Sequence, residues 1–196
     1  GTGPFILVGW QPDTKTTLKK NPNWWDKPKG NIDEVVFTPI KSAATKSTAL
    51  ISGQVDMVVD PPVQDLERTK RDPNIRVIEG AENRTIFLGL DQFRDELPGS
   101  NIKGKNPLKD KRVRQALYQA VDMAAIEKTV MRGLGKPTGT MIAPMVNGWT
   151  KELGARASKY DVNAAKKLLA DAGYPQGFEL TLDCPNDRYV NDEAIC

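Results

Sequence analysis

The side chains that could do chemistry in this chain are its acids, arginines and cysteines, because the sequence contains no histidine. That absence removes the commonest general base and metal ligand, together with every Ser–His or Cys–His nucleophile pair. Paired acids could still support hydrolysis, and Asp56, Asp60 and Asp187 are the candidates. Since nothing in their spacing is diagnostic, a carboxylate-dependent hydrolase is an alternative, and we expect no enzyme activity.

Cys184 and Cys196 are the only cysteines. Two thiols without histidine are too few for a structural zinc site, so we expect neither a metal nor a cofactor. The residues alone leave two possibilities open, which are two free thiols or a disulfide across a turn between a strand and a helix. In the chain-entropy model, closing a loop of this size would stabilise the fold by about 3 kcal/mol.

Polar residues follow two of the predicted strands at the points where they end. The apolar stretch 55–59 predicts a strand that stops at Asp60 and two prolines. The predicted strand 178–184 is followed by a turn that contains Asp187, Arg188 and Tyr189. Such turns bind ligands in α/β folds, although a plain surface turn that caps the next helix is also possible.

Arg84 lies near a predicted boundary between two domains, at 79–85. It could pair with Glu82 or Asp91, or it could face a groove between domains, where ligand pockets are frequent. The sequence does not decide between these two roles.

The composition is that of an ordinary globular protein, with 39% hydrophobic and 27% charged residues. No apolar run approaches the roughly 20 residues that are needed to cross a bilayer. The most basic stretch, 103–114, has no interleaved aromatic residues, so we expect no nucleic-acid partner. The chain begins with Gly1-Thr2-Gly3 and closes soon after a helix start, so we expect it to be an internal piece of a longer protein.

Residue periodicity and turn residues predict an α/β fold. We expect strands over 3–11, 16–21, 32–40, 55–59, 75–80, 84–91 and 178–184. We expect helices over 43–53, 62–73, 110–135 (as two helices) and 162–175, with a further helix starting near the end of the chain. Ser42 and Asp122 are the expected N-caps. Segment 84–91 is apolar nearly throughout, which is typical of a strand covered on both faces.

Six segments taken in order resemble one protein family. They are "GTGPFILVGW", "LKKNPNWWDKP", "IDEVVFTPI", "ALISGQVDMVVDPPVQDL", "PLKDKRVRQALYQAVDMAAI" and "AAKKLLADAGYPQGFELTL". The set is similar to the large periplasmic solute-binding proteins of the peptide, opine and nickel ABC-importer class, known as extracellular solute-binding protein family 5. The excursion at 92–106 is longer than this resemblance leads us to expect.

The resemblance implies parts of the two lobes of a periplasmic-binding-protein type II-like fold, with mixed sheets flanked by helices. Residues 1–83 would form the second segment of the first lobe. Residues 84–196 would form the crossover and the first half of the second lobe. The protein would be periplasmic, or extracellular and tethered to a membrane, and an oxidising compartment favours a Cys184–Cys196 disulfide.

The resemblance also implies the function and the site. The protein would capture a peptide or a similar small solute between its lobes and deliver it to the membrane permease of an ABC transporter. The ligand-binding residues it implies are Val59, Asp60, Pro61, Arg84, Thr85, Asn186, Arg188 and Tyr189. Because part of the cleft lies outside these 196 residues, we expect the chain itself to bind solute weakly or not at all. A protein-interaction module is a further alternative, and it would show a large exposed apolar patch.

Overall fold

The computed structural model describes residues 1–157, 159–186 and 188–196. Within these residues the chain divides into two units, Gly1–Ile75 and Arg76–Cys196. The assignment of 1–83 and 84–196 to two lobes remains a prediction, because a division into units does not show which lobe each one belongs to.

The first unit contains a three-stranded antiparallel sheet, as the alternating sequence predicts. Strand β1 (Phe5–Gln11) pairs with β2 (Lys15–Lys20), which pairs with β3 (Glu34–Phe37). The turn between β1 and β2 closes with a hydrogen bond from the N–H of Thr14 to the carbonyl of Gln11 (3.1 Å). Asp13 adopts a left-handed conformation in this turn (φ 54°), which Asp tolerates better than most residues.

Helix α1 (Ala43–Ile51) follows the sheet and begins where the sequence predicts. The hydroxyl of Ser42 accepts a hydrogen bond from the N–H of Thr45 (3.3 Å), which caps the helix. A buried hydroxyl–carboxylate bond of 2.5 Å joins Ser47 of α1 to Asp65 in the 3₁₀ turn Val63–Asp65. Helix α2 (Leu66–Lys70) continues from that turn.

The core of the second unit forms around two packed helices, α3 (Lys111–Ala120) and α6 (Val162–Asp171). Val113 is fully buried there beside Leu97 and Leu108. The partly buried side chains that pack on this cluster are Leu90, Leu117, Leu169, Ala172, Tyr174 and Phe178. Asp161 caps α6 by accepting the N–H of Ala164 (2.9 Å).

The excursion at 92–106 contributes to this core instead of forming a plain polar loop. Leu97 is only 8% exposed, and Asn106 is also buried. The amide of Asn106 donates to the carbonyls of Asp91 (2.9 Å) and Arg94 (3.0 Å) and so ties both ends of the excursion together.

The remaining helices of the second unit are short. Asp122 caps α4 (Met123–Ala125), as predicted, and α4 runs directly into a π-helical turn at Ile126–Val130. Helix α5 (Lys151–Gly154) lies in a stretch that the sequence predicted to be loop, and Thr150 caps it. Helix α7 (Asp192–Ile195) closes the described chain. None of the helices in the described ranges is long and apolar enough to span a bilayer.

Four of the predicted strands are wrong. Segments 55–59, 75–80, 84–91 and 178–184 carry strand-like sequences but form no strand ladder in the described structure. The prediction that both faces of 84–91 are covered is also wrong, because Phe87 is 60% exposed. A strand needs a neighbouring strand for its backbone N–H and C=O groups, and no described segment pairs with these four.

We expect Val113→Ala to lower the free energy of unfolding of the second unit by about 2 kcal/mol, because it removes two buried methyl groups and leaves a cavity. Val162→Ala is the matched control. Val162 is 37% exposed, so the change should stay within about 0.5 kcal/mol of zero. Chemical denaturation measures the free energy of unfolding of each variant. An equal loss in Val113→Ala and Val162→Ala would contradict the placement of the core around Val113.

Candidate functional site

Two arginines from distant parts of the sequence meet at one aromatic ring in the second unit. The guanidinium carbon of Arg84 lies 5.5 Å from the ring centroid of Tyr189, and that of Arg188 lies 5.8 Å from the same centroid. Both distances are within the range of a cation–π contact, which contributes about 0.5–1 kcal/mol at an exposed site. The structure therefore brings together three of the predicted ligand-binding residues.

Arg84 also forms an ion pair, which was one of its two possible roles. Its Nη1 lies 3.2 Å from Oε1 of Glu82, while Asp91 instead pairs with Arg94. The next residue, Thr85, is half-buried and donates its hydroxyl to the carbonyl of Met141 (3.2 Å). This bond fixes the segment that carries Arg84 to the loop before α5.

Arg188 is the more available of the two arginines. Its side chain is exposed, and its guanidinium forms no ion pair with any residue that the structure describes. Asn186, two residues earlier, is also exposed, and Asp187 lies outside the described residues. Arg188 therefore presents a positive, multiply donating group to solvent over the Tyr189 ring.

A buried carboxylate fixes the backbone of this turn. Asp192 is only 5% exposed. Its Oδ2 accepts the N–H of Arg188 (2.8 Å) and of Tyr189 (2.9 Å), and its Oδ1 accepts the N–H of Glu193 (2.9 Å). These hydrogen bonds hold the pKa of Asp192 below its ordinary value of 3.8. The N–H of Tyr189 lowers it most, burial opposes this, and the N–H groups of Arg188 and Glu193 lower it further.

A disulfide and a contact with the π-helical turn Ile126–Val130 also fix this segment. Cys184 and Cys196 are bonded, which confirms the pairing that the resemblance favoured. Asn191 adopts a left-handed conformation (φ 56°) and donates its side-chain amide to the carbonyl of Val130 (3.0 Å). We refer to the described residues from one cysteine to the other, 184–186 and 188–196, as the arginine loop.

Three further predicted ligand-binding residues, Val59, Asp60 and Pro61, lie in the first unit. Val59 is 64% exposed, and Asp60 is exposed with a left-handed backbone (φ 52°). Pro61 is half-buried, and the chain becomes buried at the next residue, Pro62. The strand predicted to carry them is absent, yet they do occupy an exposed bend. Their role in binding remains a prediction.

The acids named for the alternative of hydrolysis do not form a described site. Asp56 and Asp60 are both exposed, and Asp187 lies outside the described residues. Among the residues that are described, no group of three or more His, Cys, Asp or Glu side chains is arranged to hold a metal ion.

Sequence reasoning missed Asp192, the acid on which the arginine loop depends. As the alternative to a ligand-binding turn, it offered Asn186 or Asp187 as the residue that caps the next helix. The available signal was the Asn-Asp-Glu sequence before the apolar end of α7, since an acid at the start of a helix accepts nearby backbone N–H groups.

Comparison with known proteins places the chain among solute-binding proteins. The whole chain, residues 1–196, matches the family described as "Bacterial extracellular solute-binding proteins, family 5 Middle". It is 32% identical to heme-binding protein A of Haemophilus influenzae over 91% of the chain and 30% of that protein. It is 31% identical to the dipeptide-binding protein of Escherichia coli over 99% of the chain and 34% of that protein.

A solved structure supports the same relationship. The periplasmic binding protein DppA of Helicobacter pylori, in complex with the peptide STSA, superimposes with a TM-score of 0.74 and is 29% identical. The match covers 90% of this chain and 32% of that one. The chain thus has the periplasmic-binding-protein type II-like fold that the sequence predicted.

The chain belongs to family 5 of the bacterial extracellular solute-binding proteins. This membership confirms the predicted location outside the cytoplasm, in the periplasm or at the cell exterior. The chain spans about a third of the length of the relatives it matches.

The arginine loop should respond to acid only at low pH. Because the pKa of Asp192 is lowered on folding, its carboxylate stabilises the loop fully above about pH 3.8, and this contribution is lost as the pH falls through the lower folded pKa. We expect the amide NMR signals of Arg188 and Tyr189 to stay constant down to that pH and to move below it.

Asp192→Asn is the control for this titration, since it should leave the two amide signals without the acid transition. A transition that persists in Asp192→Asn would contradict the prediction, because it could not come from the Asp192 carboxylate.

Proposed function

We propose that the chain is part of the solute-binding component of an ABC importer and that it captures a peptide or a similar small solute. The arginine loop would hold an anionic group of the solute, such as a carboxylate. The observation that carries this proposal is the pair of guanidinium groups at Tyr189, one of them exposed and without an ionic partner among the described residues.

The chemistry of arginine supports a carboxylate as the bound group. A guanidinium presents a rigid fork of N–H donors that matches the two oxygens of a carboxylate. The ion pair with Glu82 offsets the charge of Arg84, so Arg188 carries the positive charge beside the ring that has no ionic partner among the described residues. Tyr189 holds both guanidinium groups near its ring by cation–π contacts and adds a phenol that can donate a hydrogen bond.

Family membership supports transport as the purpose of this binding. Relatives of this chain include dipeptide-binding proteins, and one structural neighbour holds a peptide. In such a receptor the solute would shift an equilibrium between open and closed arrangements of two lobes by binding the closed one more tightly. The closed form would then be recognised by the membrane permease.

Val59, Asp60, Pro61, Thr85 and Asn186 complete the proposed set of ligand-binding residues. No covalent bond of the solute would be made or broken, so we propose that the chain is not an enzyme. Membership in a solute-binding family supports this and weighs against hydrolysis by Asp56, Asp60 and Asp187. Turnover of a peptide ester that is abolished by Asp60→Asn would restore the hydrolase alternative.

We expect the chain to bind Ala-Ala weakly, with a Kd of about 10 mM, because the surfaces of the relatives beyond the matched third are not part of it. The amide signals of Arg84, Arg188 and Tyr189 should shift during an NMR titration with this dipeptide. The amidated dipeptide Ala-Ala-NH₂, which lacks the carboxylate, should bind at least about tenfold more weakly.

Arg188→Ala should weaken Ala-Ala binding by about 10- to 100-fold, the range expected when a hydrogen bond to a charged group is lost. Arg188→Lys should lie in between, because lysine keeps the charge and loses the planar fork. Arg71→Ala, at an exposed arginine that ends α2, is the matched control and should not change the affinity. Unchanged affinity in Arg188→Ala, or shifts confined to other residues, would refute the proposed site.

A further inference from the structure

The hydrogen bonds of Asp192 act on the two residues that carry the proposed binding groups. Its Oδ2 accepts the backbone N–H of Arg188 at 2.8 Å and that of Tyr189 at 2.9 Å. The carboxylate thus lies on the inner side of the turn, while the side chain of Arg188 is exposed on its outer side. Asp192 can therefore influence the solute only through the backbone it holds.

The carboxylate is well suited to this holding role. Three N–H donors surround it, and it is buried, so solvent competes little for its oxygens. Hydrogen bonds to an ionised acceptor are about twice as strong as neutral ones. A cluster of backbone N–H groups around an anion is a common anion-binding arrangement in proteins, and here the anion is a side chain of the same loop.

Other contacts fix the rest of the arginine loop and leave this one segment to Asp192. The disulfide joins the first and last residues, and the amide of Asn191 binds the carbonyl of Val130. Residues 188 and 189 lie between these anchors. The N–H groups of Arg188 and Tyr189 both donate to the Asp192 carboxylate. Without the carboxylate, these two N–H groups would lose their acceptor.

A binding loop that is already ordered gives up less conformational freedom when its ligand arrives. If two residues of the loop must become ordered during binding, their loss of conformational entropy reduces the net free energy of binding. The affinity for the solute, and the discrimination between a carboxylate and an amide, both depend on Arg188 being held in place.

We propose that Asp192 is a positioning residue for solute capture, whose buried carboxylate holds Arg188 and Tyr189 in the arrangement that receives the anionic end of the solute. This inference rests on the proposed function of the arginine loop and goes beyond it, since Asp192 itself does not touch the solute.

The test compares three variants of the 196-residue chain. Asp192→Ala removes the acceptor, and Asp192→Asn keeps one oxygen that can accept the same two N–H groups. Asp72→Ala is the matched control, because Asp72 accepts the N–H of Asn74 (2.9 Å) in an exposed turn of the first unit. Each variant is examined by amide hydrogen exchange at Arg188 and Tyr189 and by NMR titration with Ala-Ala and Ala-Ala-NH₂.

We expect Asp192→Ala to speed exchange at both amides, to weaken Ala-Ala binding about tenfold, and to reduce the preference for the free carboxylate over the amide. Asp192→Asn should restore most of the affinity and most of that preference. Asp72→Ala should change none of these. A loss of preference that the asparagine variant restores is not expected of a residue that only stabilises the fold.

Two results would overturn the inference. One is faster exchange in Asp192→Ala with unchanged affinity and unchanged preference, which would make Asp192 structural only. The other is unchanged exchange at both amides. If Asp192→Ala fails to fold, the inference is tested by comparing Asp192→Asn with the native chain. An affinity for Ala-Ala that is more than about tenfold below native in Asp192→Asn would also overturn the inference.

Failure of the inference and failure of the proposed function are separable. If Arg188→Ala loses affinity and Asp192→Ala does not, only the positioning role is wrong. If Arg188→Ala leaves the affinity unchanged, the proposed site is wrong, and the positioning role is overturned with it.

Discussion

The requirement that backbone hydrogen-bonding groups find partners governs which parts of this chain form regular structure. A helix satisfies most of its N–H and C=O groups within one segment, whereas a strand depends entirely on its neighbours. Strands β1, β2 and β3 are close in sequence and pair with one another. Segments 84–91 and 178–184 have no such neighbour in the described structure. Several of their apolar side chains, including Phe87 and Leu182, are exposed, while Leu90 and Phe178 pack on the core. The exposed apolar residues of these two segments therefore give no separate support to a protein-interaction module.

This difference also explains which elements could be predicted from sequence. Ser42, Asp122 and Asp161 cap helices within three residues of themselves, so a short window of sequence contains all the information. The first hairpin is equally local. By contrast, the pairing of a strand depends on residues far away in the chain, and hydrophobic composition alone does not reveal whether a partner is present. The participation of Leu97 in the core was missed for the same reason, because its polar surroundings in sequence indicated a loop.

The candidate site could be predicted from sequence only in part, because it also depends on contacts between distant segments. Arg84, Arg188 and Tyr189 were predicted individually, from a domain boundary, a strand end and a family resemblance. Their meeting at one ring depends on contacts between segments about a hundred residues apart, which no local pattern encodes. Asp192 was overlooked because its hydrogen bonds reach backward to Arg188 and Tyr189 across a turn whose geometry the sequence does not show.

The bond between Cys184 and Cys196 has a consequence for where the protein matures. Thiols remain reduced in the cytosol, so this bond can form only after the chain has left it. Before that step the two cysteines are separate, so the arginine loop lacks the covalent link between its first and last residues. The protein therefore acquires this restraint outside the cytoplasm, where its family is located.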